Sequence, residues 1–268
     1  MYQPKIYVLL PAFNEEAALP ILIPKFASVL KRLGNPFLII VGDDGSSDAT
    51  GTVAAALAAD YPLEVITHRI NRGLGETARD LFERAAELAN PEDVIVRMDC
   101  DDTHDPSVVE AMLKRLALGD VDVVIGSRFQ PGGGQSGVSA YRALISRAAN
   151  LFMKVFFPMR GVHDYSSGFR AYRAAVIQRA IEVFGNNFIQ LKGLGFTGTL
   201  EKLVKLSLLG AKFGEVAMIL RYDQKQSSSK MVSSVTTLGY LVMAVLYHWP
   251  WGGWRQQSRR NPSRQHLG

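Results

Sequence analysis

The feature that most constrains this chain is a rhythm. Strand-length apolar runs recur at residues 5–10, 37–41, 63–67, 93–98 and 121–126, and helix-like spacing fills the intervals 15–33, 48–60 and 76–89. Runs such as Ile6-Tyr7-Val8-Leu9-Leu10 and Phe37-Leu38-Ile39-Ile40-Val41 do not alternate polar with apolar, which is the pattern of parallel strands covered by helices on both faces. The spacing therefore predicts a doubly wound α/β sheet for the first half of the chain. Beyond residue 127 the pattern changes to a Gly-rich loop at 131–137. Helices are then expected near 139–157, 171–184 and 198–209, with a short strand near 215–220 returning to the sheet. No internal repeat or long linker divides the chain.

Composition narrows the class further. With 268 residues, 47% of them hydrophobic and 21% charged, the chain can bury a sizeable core, which excludes disorder, collagen and coiled coil. The single cysteine, Cys100, excludes a disulfide scaffold and a multi-thiolate zinc site. The first thirty residues lack a secretory pattern, so the expected location is the cytoplasm. The net charge of +5 comes largely from Arg255, Arg259, Arg260 and Arg264; without them 26 basic residues face 25 acidic ones. A nearly neutral body with a basic tail argues against a nucleic-acid groove. It favours a local anionic partner such as a lipid surface, the plainer alternative being a solvated terminus.

Ligands of doubly wound sheets gather at the carboxyl ends of the strands, and the polar motifs of this chain fall there. PAFNEE (residues 11–16) follows the first strand, DDGSSDAT (43–50) the second and DCDD (99–102) the fourth. Asp99 and Asp101, two apart on an extended backbone, project to one side, where two hard oxygens can share a magnesium or manganese ion with phosphate oxygens. The alternative is a polar loop leading into a helix capped by Asp105 ahead of Pro106. In DDGSSDAT, Gly45 can turn the chain and Asp48 can cap the next helix, which leaves Asp43 and Asp44 available to a ribose or base. Gly73 and Gly75 do not complete a dinucleotide fingerprint. Cys100, flanked by two acids, is a poor nucleophile, and His104 and His163 lack metal-ligand companions.

PAFNE, DDGSSD, DCD followed by His104 and Pro106, GSRF and SGFRAY, in this order, resemble the family 2 glycosyltransferases of the GT-A fold, over roughly residues 5–231. Within that family the chain is most similar to the polyprenyl-phosphate branch that includes the dolichol-phosphate mannosyltransferases. The resemblance implies a Rossmann-like, mostly parallel sheet flanked by helices. It implies a catalytic domain over residues 1–230, an amphipathic interfacial segment over 231–254 and a basic tail over 255–268.

The resemblance also implies residue roles. Pro11, Ala12, Phe13, Glu15, Asp43 and Asp44 would contact the nucleotide, with Cys100 between the metal-binding Asp99 and Asp101. Arg128 would lie near the sugar phosphate, and Ser167, Gly168 and Phe169 would form the sugar pocket. Arg142 and Ser146 would hold the acceptor phosphate, helped by Arg221, Lys225 or Lys230. Two positions depart from the group: Thr103 stands where Gln is common, and Gln226-Ser227-Ser228-Ser229-Lys230 keeps only the final Ser-Lys of the usual basic loop.

The implied activity is inverting transfer of a sugar, first mannose from GDP-mannose, to polyprenyl or dolichyl phosphate, with Mg2+ or Mn2+ as cofactor. Catalysis would rest on Asp99, Asp101, Arg128, Arg142 and Lys230. An already anionic phosphate needs no strong base, only cations to position it. A UDP-sugar donor with a hydroxyl acceptor is the alternative; it needs a carboxylate base, for which Asp164 is the candidate, its other role being to brace the SGF turn. A non-catalytic nucleotide-sugar-binding protein is a third reading. The ten-residue apolar run 238–247 is too short to span a bilayer, whereas Trp249, Trp251 and Trp254 beside arginines suit an in-plane helix on the cytoplasmic face. Peripheral membrane contact follows as an expectation, with room for a membrane subunit as partner.

Overall fold

The computed structural model describes residues 3–225 and 233–248, with the side chains of residues 141, 142, 233 and 234 outside that description. Strand and helix alternate as β1 (Ile6–Ala12), α1 (Leu19–Leu33), β2 (Phe37–Asp43), α2 (Thr50–Leu57), β3 (Leu63–Thr67), α3 (Leu74–Leu88), β4 (Val94–Arg97), α4 (Val108–Ala117) and β5 (Val123–Ser127). The second half adds β6 (Gly134–Ser136), α5 (Ala140–Phe156), β7 (Arg170–Arg173), α6 (Ala174–Phe184), α7 (Thr197–Leu208), β8 (Phe213–Ala217), β9 (Ile219–Arg221) and α8 (Ser233–His248).

Seven strands form one sheet in the order β3-β2-β1-β4-β7-β5-β8, and β6 pairs with β9 in a separate ribbon. All pairings in the large sheet are parallel except those of β7 with β4 and β5. Every residue of β1 is buried, as its unbroken apolar run requires at the centre of a doubly covered sheet. Tyr7 and Leu9 face the core shared with α3, α6, α7 and α8, while Ile6, Val8 and Leu10 face the core shared with α1 and α4.

The structure differs from the sequence expectation at two places. The helix expected over 171–184 begins only at Ala174, because Arg170–Arg173 form the antiparallel strand β7. Its four residues are too few to show a strand periodicity, and pairing on both edges supplies what local propensity does not. The strand expected near 215–220 is split into β8 and β9.

The C-terminal helix is half docked. Met243 and Tyr247 of α8 enter the core with α7, while Leu238, Leu241, Val242, Val245 and Leu246 remain exposed. The rings of Phe152 on α5 and Tyr240 on α8 stack 6.5 Å apart, and α5 exposes Leu144, Leu151, Val155 and Phe156. No helix among the described residues is long and apolar enough to cross a membrane.

Candidate active site

A cavity of about 640 Å³ opens over the carboxyl ends of β1, β2, β4 and β5. Its local architecture follows from the loops that leave those strands. After β1 the chain turns through Asn14, whose φ of 52° lies in the left-handed region that Asn tolerates. The Asn14 N–H donates to Ser46 Oγ (2.9 Å) and its Oδ1 accepts from the Ser47 N–H (2.9 Å). Glu15 N–H donates to Thr50 Oγ1 (2.8 Å), and Glu16 accepts from the Ala49 N–H (2.8 Å) at the start of α2. PAFNEE and DDGSSDAT therefore hold one another; Asp48, expected to cap α2, lies one residue before the N-cap Ala49 and accepts from the Thr50 N–H (2.9 Å) in a local turn instead.

The two aspartates of the second loop part company. Asp44 lines the cavity and accepts from the N–H groups of Arg72 and Gly73 (2.8 Å each) and shares a hydrogen bond with His68 Nδ1 (2.9 Å), fixing the loop ahead of α3 as another wall. Asp43, expected beside the nucleotide, is off the cavity: its Oδ1 accepts from the Ser46 N–H (3.1 Å) and shapes the turn. Successive side chains at a strand end point to opposite faces, so one of the pair had to turn away.

Asp99, Cys100 and Asp101 all line the cavity. Arg97, 2% exposed, reaches Asp99 Oδ1 with Nη2 (2.7 Å) and donates through Nη1 to the Gly168 carbonyl (3.2 Å). Position 168 must be glycine, since a Cβ there would lie 2.0 Å from Arg97 Nη1. Asp101 ion-pairs with Lys225 and accepts from Thr103 Oγ1 (2.6 Å) and the Thr103 N–H (3.3 Å). Burial pushes the Asp101 carboxyl up, but the Lys225 ammonium and the Thr103 donors hold it below the ordinary aspartate range. Thr103 thus serves Asp101 directly. Asp102, with φ 56°, turns the chain immediately after the pair and meets Lys25 at 2.8 Å.

Two carboxylates beside open space suit a divalent ion that completes its shell with water and phosphate oxygens. Among the described residues no group of three or more His, Cys, Asp or Glu could hold a metal on its own. His104, buried against Phe169 with ring centroids 5.5 Å apart, has its imidazolium disfavoured by that burial despite the nearby Asp99 and Asp101.

Arg128 enters from the end of β5 and is locked in place. Asp164, fully buried, accepts from Arg128 Nε and Nη2 at 2.7 Å each, from the Arg128 and Ser167 N–H groups at 3.1 Å, and from Ser166 Oγ at 3.2 Å. Burial raises its carboxyl, but the Arg128 guanidinium and the other donors hold it below the usual range. An aspartate so saturated braces Arg128 and the SGF turn; it has no lone pair poised to take a proton. Ser167 and Gly168 line the cavity, while Phe169 lies behind them in the core.

The residues expected on the acceptor side divide. Lys225 lines the cavity; Arg221 does not, being paired with Asp223 at 2.9 Å. Ser146 is off the cavity, its Oγ 3.5 Å from that of Ser166, which lines it. Arg142 is in the first turn of α5 with its side chain outside the described set, and Lys230 lies outside the described residues. Sequence reasoning missed the segment Lys192–Phe196 as a wall, along with Arg97 beneath Asp99. Glu201 fixes that wall from behind, accepting from the Gln190 (2.9 Å) and Leu191 (2.8 Å) N–H groups and from Tyr247 Oη of α8 (3.0 Å). The only signals were a charge inside an apolar strand run and an acid inside an apolar helix face.

The family model described as glycosyl transferase family 2 matches residues 7–180, and the chain belongs to that family. Among its relatives, it is 30% identical over 232 residues to the undecaprenyl-phosphate mannosyltransferase of Micrococcus luteus, covering 86% of this chain and 89% of that protein. It is 32% identical over 202 residues to the dolichol-phosphate mannosyltransferase of Pyrococcus furiosus, covering 75% of this chain and 53% of that longer protein. With the polyprenol monophosphomannose synthase of Mycolicibacterium smegmatis it shares 33% identity over 174 residues, 64% of this chain and 63% of that one. Its fold is that of glucosyl-3-phosphoglycerate synthase from Mycobacterium tuberculosis, solved with Mn2+, UDP and glucosyl-3-phosphoglycerate: TM-score 0.58 at 18% identity, over 91% of this chain and 79% of that one.

Proposed function

We propose that this chain is an inverting glycosyltransferase that moves mannose from GDP-mannose to polyprenyl phosphate at a membrane surface. The names of the three relatives support the sugar and the acceptor class. The observation that carries the acceptor choice is the saturation of Asp164, which removes the candidate base a hydroxyl acceptor would need. An acceptor phosphate brings its own anionic oxygen. That oxygen attacks the anomeric carbon as the bond to the nucleoside diphosphate breaks, and the departing diphosphate keeps the electron pair.

Asp99 and Asp101 would hold Mg2+ or Mn2+, which offsets charge on the departing diphosphate when bound. Pro11–Phe13, Glu15 and Asp44 would seat the nucleotide, and Arg128, with Ser167 and Gly168, would position the sugar phosphate. Arg142, Lys225 and Lys230 would gather the acceptor phosphate, with Ser146 reaching it only through Ser166, whose Oγ lies 3.5 Å away. The catalytic unit would end near residue 230, and the exposed apolar faces of α5 and α8 would lie on the lipid, with the arginines of 255–268 meeting anionic headgroups.

Calorimetry with GDP-mannose and UDP-glucose, each with Mn2+, tests the reading. Preferential binding of GDP-mannose is expected. Binding of UDP-glucose alone, or of neither, would overturn the donor assignment.

A further inference from the structure

Among the described residues, four lysine and arginine side chains line the cavity, and each is paired with a carboxylate. Arg72 meets Asp80 at 2.8 Å, Arg128 meets Asp164 at 2.7 Å and Lys192 meets Glu76 at 2.5 Å. Those three partners lie outside the lining. Lys225 differs, because its partner, Asp101, is itself a cavity residue and one of the two proposed metal ligands. The neighbouring Asp99 is neutralised from beneath by Arg97, which is 2% exposed and pinned to the Gly168 carbonyl. Arg97 has no room to leave. Lys225 does: its long flexible side chain lines the cavity itself, just after the turn Tyr222–Gln224 and over the Tyr222 ring at 5.7 Å.

We propose that Lys225 is a built-in counter-ion that occupies the cation position at Asp101 until metal and nucleotide enter, and that its displacement hands it to the acceptor phosphate. The inference rests on the glycosyl-transfer reading above. A divalent ion attracts each carboxylate about twice as strongly as a monovalent ammonium at the same distance, so it wins the exchange at Asp101. Thr103, which donates to the same Asp101 oxygen from two atoms, keeps the carboxylate oriented throughout. The released ammonium stays within reach of the cavity, and a compact cation on a flexible stem is suited to a phosphate. Donor loading thereby arms the acceptor site, and binding becomes ordered, with donor before lipid phosphate.

The test measures Mn2+ binding by electron paramagnetic resonance with GDP or UDP and no acceptor, together with KM for undecaprenyl phosphate. Lys225→Met and Lys225→Gln are each expected to bind Mn2+ about tenfold more tightly than wild type, because a competing cation is gone, while KM for undecaprenyl phosphate rises about tenfold. Lys225→Arg should restore the acceptor KM. A residue with a merely structural role would weaken both readouts, so the opposite signs are diagnostic. Unchanged or weaker Mn2+ binding in both neutral variants, with a wild type that binds Mn2+ and transfers sugar, overturns this inference alone. A wild type that binds no Mn2+ with either nucleotide overturns the glycosyl-transfer reading and this inference with it.

Discussion

Replacing Asp164 with Asn separates a brace from a base. The side chain is fully buried and accepts five contacts, two of them from the Arg128 guanidinium at 2.7 Å. Asparagine keeps the shape but presents one oxygen, and its NH2 group faces donors where Oδ1 or Oδ2 now accepts. Breaking a buried ion pair by removing one partner costs about 3–5 kcal/mol. For a chain of this size each kcal/mol lowers Tm by about 2–4 °C, so Asp164→Asn should melt roughly 6–20 °C below wild type.

The pH dependence has a definite sign. The folded-state carboxyl titrates below the ordinary aspartate value of 3.8. Its contribution is therefore complete above the unfolded value and is lost as pH falls through the lower folded value. Urea and thermal unfolding from pH 3 to pH 8 should show a constant gap between wild type and variant above about pH 5 that narrows toward pH 3. A general base would instead leave Tm in place and remove kcat. A gap under about 0.5 kcal/mol at pH 7, the size of an ordinary surface substitution, would refute the bracing argument.

Other consequences are as direct. Gly168→Ala drives a methyl group into the Arg97 guanidinium; a stability loss of about 1–3 kcal/mol by urea unfolding and weaker Mn2+ binding are expected, because Asp99 loses its fixed partner. Leu241→Glu combined with Val245→Glu alters only the exposed side of α8. It should abolish co-sedimentation with vesicles of anionic phospholipid while shifting Tm by no more than about 2 °C. Retained sedimentation would place lipid contact elsewhere.

Much of this protein was legible in its sequence because two periodicities were clean. The unbroken apolar run of β1 and the polar motifs at three strand ends point to the sheet, its crevice and the cavity residues of the loops after β1, β2 and β4. What escaped the sequence depends on contacts between segments far apart in the chain. Arg97 reads as an interruption in an apolar run until Asp99 and the Gly168 carbonyl, 71 residues away, supply its partners. Asp43 and Asp44 are equivalent in the sequence, and only the direction of the strand end sends one into the cavity and the other into a turn. The wall Lys192–Phe196 carries no motif; it is placed by Glu201 and by Tyr247 on α8. Thr103, a departure from the family pattern, is explained by its two hydrogen bonds to Asp101.

The most direct test is transfer of labelled mannose from GDP-mannose to undecaprenyl phosphate in detergent with Mn2+, comparing wild type with Asp101→Ala. A mannolipid product from the wild type, lost on EDTA treatment and reduced at least about a thousandfold in the variant, is the expected result. Undiminished transfer by Asp101→Ala would contradict a paired-aspartate site at the centre of the chemistry.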